Sequence, residues 1–250
     1  MKVLPPVYLV GSGSQGVGLS DDYDCHIYLI DGGDELGVID AGAGMGVPDI
    51  LEHIRRDGFD PSRVRHLVLT HAHGDHAGGA AKLFQAFSEP RVYLHADTAR
   101  FLREGDEKAI NLPEAKKVGL YPADYVFEPC RVDVELRDGQ TIQIGSVTLR
   151  AIDTPGHCSG HMSFLMEYDG NTYFFGGDLV FFGGKILLQN IWDCDLQAQL
   201  NSIQKLRDAN IDVFLPGHLT FSLRNGQRHI DAALKIIDGL LVPPNFSYGW

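Results

Sequence analysis

The chain has 250 residues, 44% of them hydrophobic and 22% charged, enough for one large domain or two fused halves and free of the bias of a disordered or fibrous protein. A formal net charge of −12 argues against nucleic acid or an anionic membrane as partner, although a bound metal pair would make a cleft locally positive. The start MKVLPPVYLVG lacks the apolar core of a secretory leader, and no run approaches the ~18 apolar residues of a membrane span.

Short strand-like runs open the first half: 7-VYLVG-11, 26-HIYLID-31 and 36-LGVID-40. Between the first two lies 11-GSGSQGVGLSDDYD-24, whose glycines and aspartates predict an exposed loop, placed to act as a mobile flap over a site. Ile50, Leu51 and Ile54 share one face of a helix over Pro48–Arg56. The strand 66-HLVLT-70, a helix over Gly78–Phe87 and the strand 91-RVYLH-95 follow, and residues 96–130 read as helical and irregular. From Arg131 the pattern turns to β: 131-RVDVEL-136, 141-TIQIG-145, 147-VTLRAID-153, 161-HMSFLMEY-168 and 171-NTYFFGG-177, with hairpin turns at the DG step 138–139 and the GN step 170–171. A helix over Asp195–Asp208 would be capped by Asp195 and turn Leu196, Leu200, Ile203 and Leu206 inward. A buried strand, 212-DVFLP-216, and a final helix through Ile230, Leu234, Ile237 and Leu241 complete a layered α/β pattern.

The four cysteines, Cys25, Cys130, Cys158 and Cys194, are dispersed and form no CxxC pair. They read as reduced thiols of a cytoplasmic protein, two disulfides being the alternative.

The stretch 70-THAHGDHAGG-79 concentrates three histidines and an aspartate in six positions. His71 and His73, two residues apart in extended chain, project the same way, and Gly74 permits a sharp turn to Asp75 and His76. One ion cannot use four side chains so close in sequence without strain, so the loop suits two adjacent metals. Imidazoles with a carboxylate favour zinc, iron or manganese over calcium. The bland alternative is a solvated histidine-rich turn. Further donors stand in similar places: His157 in 153-DTPGHCSGH-161, Asp178 in 176-GGD-178 and His218 in 215-LPGH-218. Each lies in a glycine-containing turn after an apolar strand, where functional loops gather on a rigid scaffold. Alone, each strand-end histidine reads as an ordinary hydrogen-bonding residue.

THAHGDH, TPGH, GGD and LPGH, in that order and preceded by VIDAG at 38–42, resemble the metallo-β-lactamase-fold metallo-hydrolases, including their glyoxalase II-like and lactonase-like members. The resemblance covers roughly residues 25–220. It implies a four-layer αββα sandwich of two mixed β-sheets flanked by helices, with the metals at one edge. The chain would be a single domain, 1–250, of two pseudo-symmetric halves at roughly 1–130 and 131–250. Carried over residue by residue, His71, His73 and His157 would bind one divalent ion and Asp75, His76 and His218 a second, with Asp178 bridging. Zinc is the first expectation, iron or manganese the alternatives. Asp40 would fix a ligand histidine's tautomer, or else be only a strand-end turn former. His161 reads as a support for the site or as a strand start.

The implied activity is hydrolysis by a metal-bridging hydroxide of an ester, lactone, thioester, amide or phosphodiester bond in a small molecule. Asp75 or a water would shuttle the proton. There is no GxSxG, and Cys158 reads as a buried structural thiol. Phe181, Phe182, Lys185 and Trp192 would line the pocket, with core or rim packing as the competing reading for the phenylalanines. A homodimer is compatible with the sequence. The chain ends at Trp250, without the C-terminal helical domain of glyoxalase II or the flavodoxin partner of flavodiiron proteins, and His73 stands where the latter carry glutamate. The alternatives are a persulfide dioxygenase-like enzyme with one iron on His71, His157 and Asp178, and a non-catalytic metal-binding scaffold. The second is disfavoured because structural zinc sites are closed and cysteine-rich.

Overall fold

The computed structural model describes residues 1–246, so Trp250 lies outside the described residues. The chain divides into two compact units, Met1–Leu136 with Gln143–Ser146, and Arg137–Ile142 with the residues from Val147 onward.

The first unit is built on a seven-stranded mixed sheet. Strands β1 (Lys2–Leu4), β2 (Val7–Gly11), β3 (Ile27–Asp31) and β4 (Leu36–Ile39) form an antiparallel meander. Strands β5 (Val64–Val68), β6 (Arg91–His95) and β7 (Val134–Leu136) extend it in parallel from β4. Every residue of β4 is buried, as are the first four of β3. That is why these strands read as continuous apolar runs: both of their faces are covered. Helix α1 (Val47–Arg56) carries a proline in its first turn and buries Val47, Ile50 and Ile54 in the core around β2–β6. Each fully buried aliphatic side chain contributes about 1.5–3 kcal/mol.

The helix expected over Gly78–Phe87 is α3 (Ala80–Ala86), and a further one-turn helix, α2 (Gly74–Ala77), precedes it. They part at Gly78–Gly79 because the backbone there is pressed onto the end of β4. Gly79 donates its N–H to Gly42 O (2.8 Å), and a β-carbon at Gly79 would run into the Ala41 carbonyl. The helical part of 96–130 resolves into α4 (Ala99–Glu104) and α5 (Leu112–Lys117). No sequence pattern marks strand β1, and β5 ends two residues earlier than expected, so that Thr70 already lies in the loop.

The second unit carries a five-stranded mixed sheet in the order β12-β11-β10-β9-β8. Its strands are β8 (Thr141–Ile144, whose last two residues group with the first unit), β9 (Val147–Asp153), β10 (Met162–Tyr168), β11 (Asn171–Gly177) and β12 (Val213–Pro216). Strands β9, β10 and β11 pair antiparallel and β12 runs parallel to β11. The β10–β11 turn is Asp169–Gly170, one residue ahead of the expected step, both residues having positive φ. Helix α6 (Leu196–Gln204) is capped by Asp195, whose Oδ1 accepts from Ala198 N at 2.9 Å. Its buried face is Gln199, Ser202 and Ile203, whereas Leu196, expected inward, is exposed in the first turn. Helix α7 (Gln227–Asp238) buries Ile230, Ala233, Leu234 and Ile237, and Leu241 lies exposed beyond its end. Among the described residues no helix is long and apolar enough to cross a membrane.

Candidate metal centre

In the first unit the turn bearing His71, His73, Asp75 and His76 hangs from the end of β5. His73 caps α2, and its carbonyl takes the N–H groups of His76 (3.1 Å) and Ala77 (2.8 Å). This one-turn helix returns His76 toward His71, and the two buried rings lie 4.0 Å apart by centroid; His71 and His73 are 4.7 Å apart.

The proton positions on the two buried rings are set by their partners. Asp40 accepts Thr70 N–H on Oδ1 (2.7 Å), and its Oδ2 lies 2.9 Å from both Thr70 Oγ1 and His76 Nδ1. A carboxylate only accepts, so His76 carries its proton on Nδ1 and Thr70 spends its own on Asp40. His71 Nδ1, 3.0 Å from Thr70 Oγ1, must then donate to that oxygen. Both imidazoles therefore present a lone pair at Nε2, the form a metal needs. Asp40 is both of the things its sequence position suggested: a strand-end residue at φ 63 and the group that fixes His76.

His76 Nε2 and Asp75 Oδ2 are 3.6 Å apart. That is too long for a hydrogen bond and close to the about 3.4 Å separating two donors on one tetrahedral ion with bonds of about 2.0–2.1 Å. Tyr121 donates its hydroxyl to Asp75 Oδ1 at 2.9 Å, and Tyr125 donates to Ala43 O at 2.8 Å with Gly74 O at 3.2 Å. The ring of Tyr121 is stacked between Tyr23 (5.9 Å) and Tyr125 (5.0 Å). Cys25 sits behind His76 and Asp40, and burial pushes its thiol well above the usual range, only partly offset by the imidazole.

The segment 11–24 differs from the expected mobile flap. Ser12 O receives Leu19 N–H (2.7 Å), Ser12 Oγ receives Val17 N–H (2.7 Å), and Gly13 N–H reaches Asp24 O (2.9 Å). Asp24 ties the loop to the residues after β4, accepting Ala43 N–H on Oδ1 (2.7 Å) and the Ser20 hydroxyl on Oδ2 (2.6 Å). Burial raises the Asp24 carboxyl to about 6. Composition announces the loop, but its serine and aspartate hydrogen bonds close it on itself.

In the second unit three turns carry one ligand-type residue each. His157, after β9, has Nδ1 3.3 Å from Leu187 O and so also presents Nε2. Asp178 follows β11, and its N–H donates to His161 Nε2 at 2.9 Å. His161 in turn donates from Nδ1 to Thr154 Oγ1 (3.0 Å), so this histidine holds the Asp178 backbone in place. His218 follows β12, fixed by Gly217 N–H on Gly177 O at 2.7 Å. Asp178 Oδ2 lies 3.6 Å from His157 Nε2 and 3.7 Å from His218 Nε2. One carboxylate oxygen thus stands at a tetrahedral-edge distance from two imidazole nitrogens. Helix α6 braces the turn of His157, with Ser202 Oγ on Pro155 O and Asp195 N–H on Gly156 O, each at 2.7 Å.

The residues expected to line the pocket divide. Phe181 is fully buried, its ring 4.5 Å from Phe246 and 6.4 Å from His218, so it is core behind a ligand-type residue. Phe182 lies tilted against His229, ring centroids 4.4 Å apart, under Arg228. Lys185 is exposed in a bridge with Phe181, and Trp192 is 62% exposed. Among the described residues no cysteine forms a disulfide, and Cys158 is buried. His26, His53, His66 and His95 take hydrogen bonds to Ser12, Val10, Tyr93 and Asp97 respectively. Sequence reasoning passes over Thr70, Tyr121 and Tyr125. Thr70 is visible at the head of the motif, but Tyr121 lies 46 residues from Asp75 with no local pattern to mark it.

This chain belongs to the metallo-β-lactamase superfamily, whose model matches residues 20–218. Its two mixed sheets with flanking helices are the fold of that family. Among its relatives, an atrochrysone carboxyl ACP thioesterase of Aspergillus chevalieri is 28% identical over 192 residues, 76% of this chain and 50% of the relative. The uncharacterized protein YobT of Bacillus subtilis (strain 168) is 33% identical over 149 residues, 59% of each chain. The chain spans about half the length of several curated relatives it matches. Among solved structures, a Cronobacter sakazakii metallo-β-lactamase with a HARLDQ motif superimposes with a TM-score of 0.69 at 28% identity, over 87% of this chain and 80% of that one.

Proposed function

We propose that the chain is a binuclear metal-dependent hydrolase of a small-molecule substrate, with a thioester first among the bonds considered and an ester, lactone, amide or phosphodiester behind it. The observation that carries the binuclear reading is Asp178 Oδ2, set 3.6 and 3.7 Å from the Nε2 atoms of His157 and His218. The donor set fits: His71, His76 and His157 held at Nδ1, two further histidines, aspartates, and no thiolate in the assigned set, as suits zinc, iron or manganese in an open site. In this reading His71, His73 and His157 hold one ion, Asp75, His76 and His218 the other, and Asp178 both.

When bound, the two ions supply Lewis acidity and a water acidic enough to attack near neutral pH. The chain's own residues do the rest. Asp40 and Thr70 keep His76 and His71 in the metal-binding tautomer. Asp75, whose carboxylate Tyr121 steadies, or a water would move the proton. The thioester stands first because relatives carry the name of acyl-carrier-protein thioesterases. Zinc as the native metal and a cytoplasmic location belong to the same proposal.

Metal analysis of the protein purified without added metal, followed by a hydrolase substrate panel, tests it. About two ions per chain and thioester cleavage are expected. Asp178→Ala should deplete both ions and abolish turnover. Full metal content and activity in that variant would refute the assignment. A single iron retained in His218→Ala, with oxygen uptake, would favour the dioxygenase.

A further inference from the structure

The turn that holds Asp75 is braced from a part of the chain that carries none of the ligand-type residues. Tyr121 lies between α5 and β7, and its hydroxyl donates to Asp75 Oδ1 at 2.9 Å. Asp75 Oδ2, the other oxygen, is the one 3.6 Å from His76 Nε2. The two oxygens of this carboxylate therefore have different neighbours, a phenol on one side and the His76 imidazole on the other.

The phenol is itself fixed. Its ring is half-buried and stacked between Tyr23 and Tyr125 at interplanar angles of 20° and 25°. It also covers Gly74, where a β-carbon would press against the Tyr121 ring. Tyr125, the next ring of the stack, donates to the Ala43 carbonyl at 2.8 Å, and its hydroxyl lies 3.2 Å from the Gly74 carbonyl beneath Asp75. Tyr23 belongs to the closed loop 11–24, so that loop reaches the ligand turn through an aromatic contact.

We propose that Tyr121 is a positioning residue for Asp75. By holding Oδ1 it commits Oδ2 to the second metal position, and it thereby sets the affinity of that position separately from the first. This rests on the binuclear reading above. A charge-assisted hydrogen bond fixes carboxylate orientation as well as adding energy. Loss of such a partner of a ligand weakens metal binding by about 10–100-fold.

The test is stepwise zinc titration of metal-free protein, followed by calorimetry and by native mass spectrometry. Tyr121→Phe keeps the ring, the stack and the cover over Gly74 and removes only the hydroxyl. The expected result is a second-ion Kd raised by about 10-fold or more, with the first-ion Kd moved less than about twofold. Tyr23→Leu, which loosens the stack and leaves the hydroxyl in place, should move the second step in the same direction by a smaller factor. A wild-type chain that takes two ions and a Tyr121→Phe variant with an unmoved second step overturn this inference alone. A wild-type chain that takes only one ion overturns the binuclear reading and this inference with it.

Discussion

Asp40→Asn replaces one oxygen by an amide nitrogen at the point where three hydrogen bonds converge. The wild-type carboxylate accepts from Thr70 N, Thr70 Oγ1 and His76 Nδ1 at 2.7–3.0 Å while 1% exposed. Asparagine tolerates the left-handed backbone at φ 63, so strain is not the cause of any effect. The amide has two orientations. With oxygen toward Thr70 N–H, its NH₂ faces His76 Nδ1; the ring must then move its proton to Nε2, where a metal would bind. With oxygen toward His76, the NH₂ meets Thr70 N–H and leaves a buried donor without an acceptor. Either arrangement costs about 1–3 kcal/mol, a factor of about 5–150 in an equilibrium constant. The first is read as weaker uptake of the second ion, the second as lower stability of the metal-free chain. Zinc titration by calorimetry and urea unfolding of metal-free protein distinguish the two. A variant within about twofold of wild type in second-ion affinity and within about 0.5 kcal/mol in stability would refute the tautomer argument.

Two further predictions concern pH and metal-free protein. Burial raises the Asp24 carboxyl from 3.8 to about 6, so its contribution to stability is full below pH 3.8 and is lost as pH rises through about 6. Asp24→Asn should remove up to about 3 kcal/mol of that dependence and be more stable than wild type at pH 8 by urea unfolding; an unchanged pH profile would contradict this. His229 behaves oppositely: burial first, then Arg228, lowers it from 6.5 to about 4, so its contribution is full above pH 6.5 and is lost as pH falls through about 4. Its ring resonance should titrate near 4 by NMR, moving up in Arg228→Ala, and a midpoint above 6 would contradict the buried placement.

Much of the fold is legible in the sequence because its signals are local. Continuous apolar runs mark β3 and β4, alternation marks β8 and β9, and an aspartate before a periodic segment marks the cap of α6; the DG step at 138–139, expected as a hairpin turn, instead joins strands of two different sheets. The features that escape such a reading depend on contacts made elsewhere. The break at Gly78–Gly79 comes from the Ala41 carbonyl, some forty residues upstream and invisible to helical periodicity. Leu196 and Leu241 fit their helical stripes but fall in a first turn and beyond an end, where the core no longer reaches. The ligand-type residues can be read off because each follows a strand in a glycine turn. Tyr121 cannot, since its hydroxyl has no fixed sequence spacing relative to Asp75, the group it supports. Loop 11–24 is recognisable by composition, which says nothing about whether its serines and aspartates bond to one another.

The parallel half of the first sheet has a consequence for how the protein matures. Strands β1 to β4 can assemble as nearest-neighbour hairpins, which close quickly. Strand β5 must wait for the crossover through α1 to lie beside β4, and its other neighbour β6 comes only after α2 and α3. Parallel pairing of this kind carries the loop-closure cost before it returns any contacts, and it is correspondingly slow. The turn bearing His71, His73, Asp75 and His76 hangs from the end of that late strand. In a nascent chain these residues are adjacent in sequence but not yet fixed at Nδ1 by Asp40 and Thr70. The contacts of Asp40 and Thr70 with His76 and His71 join residues at the ends of β4 and β5, so they form only once these two strands have paired.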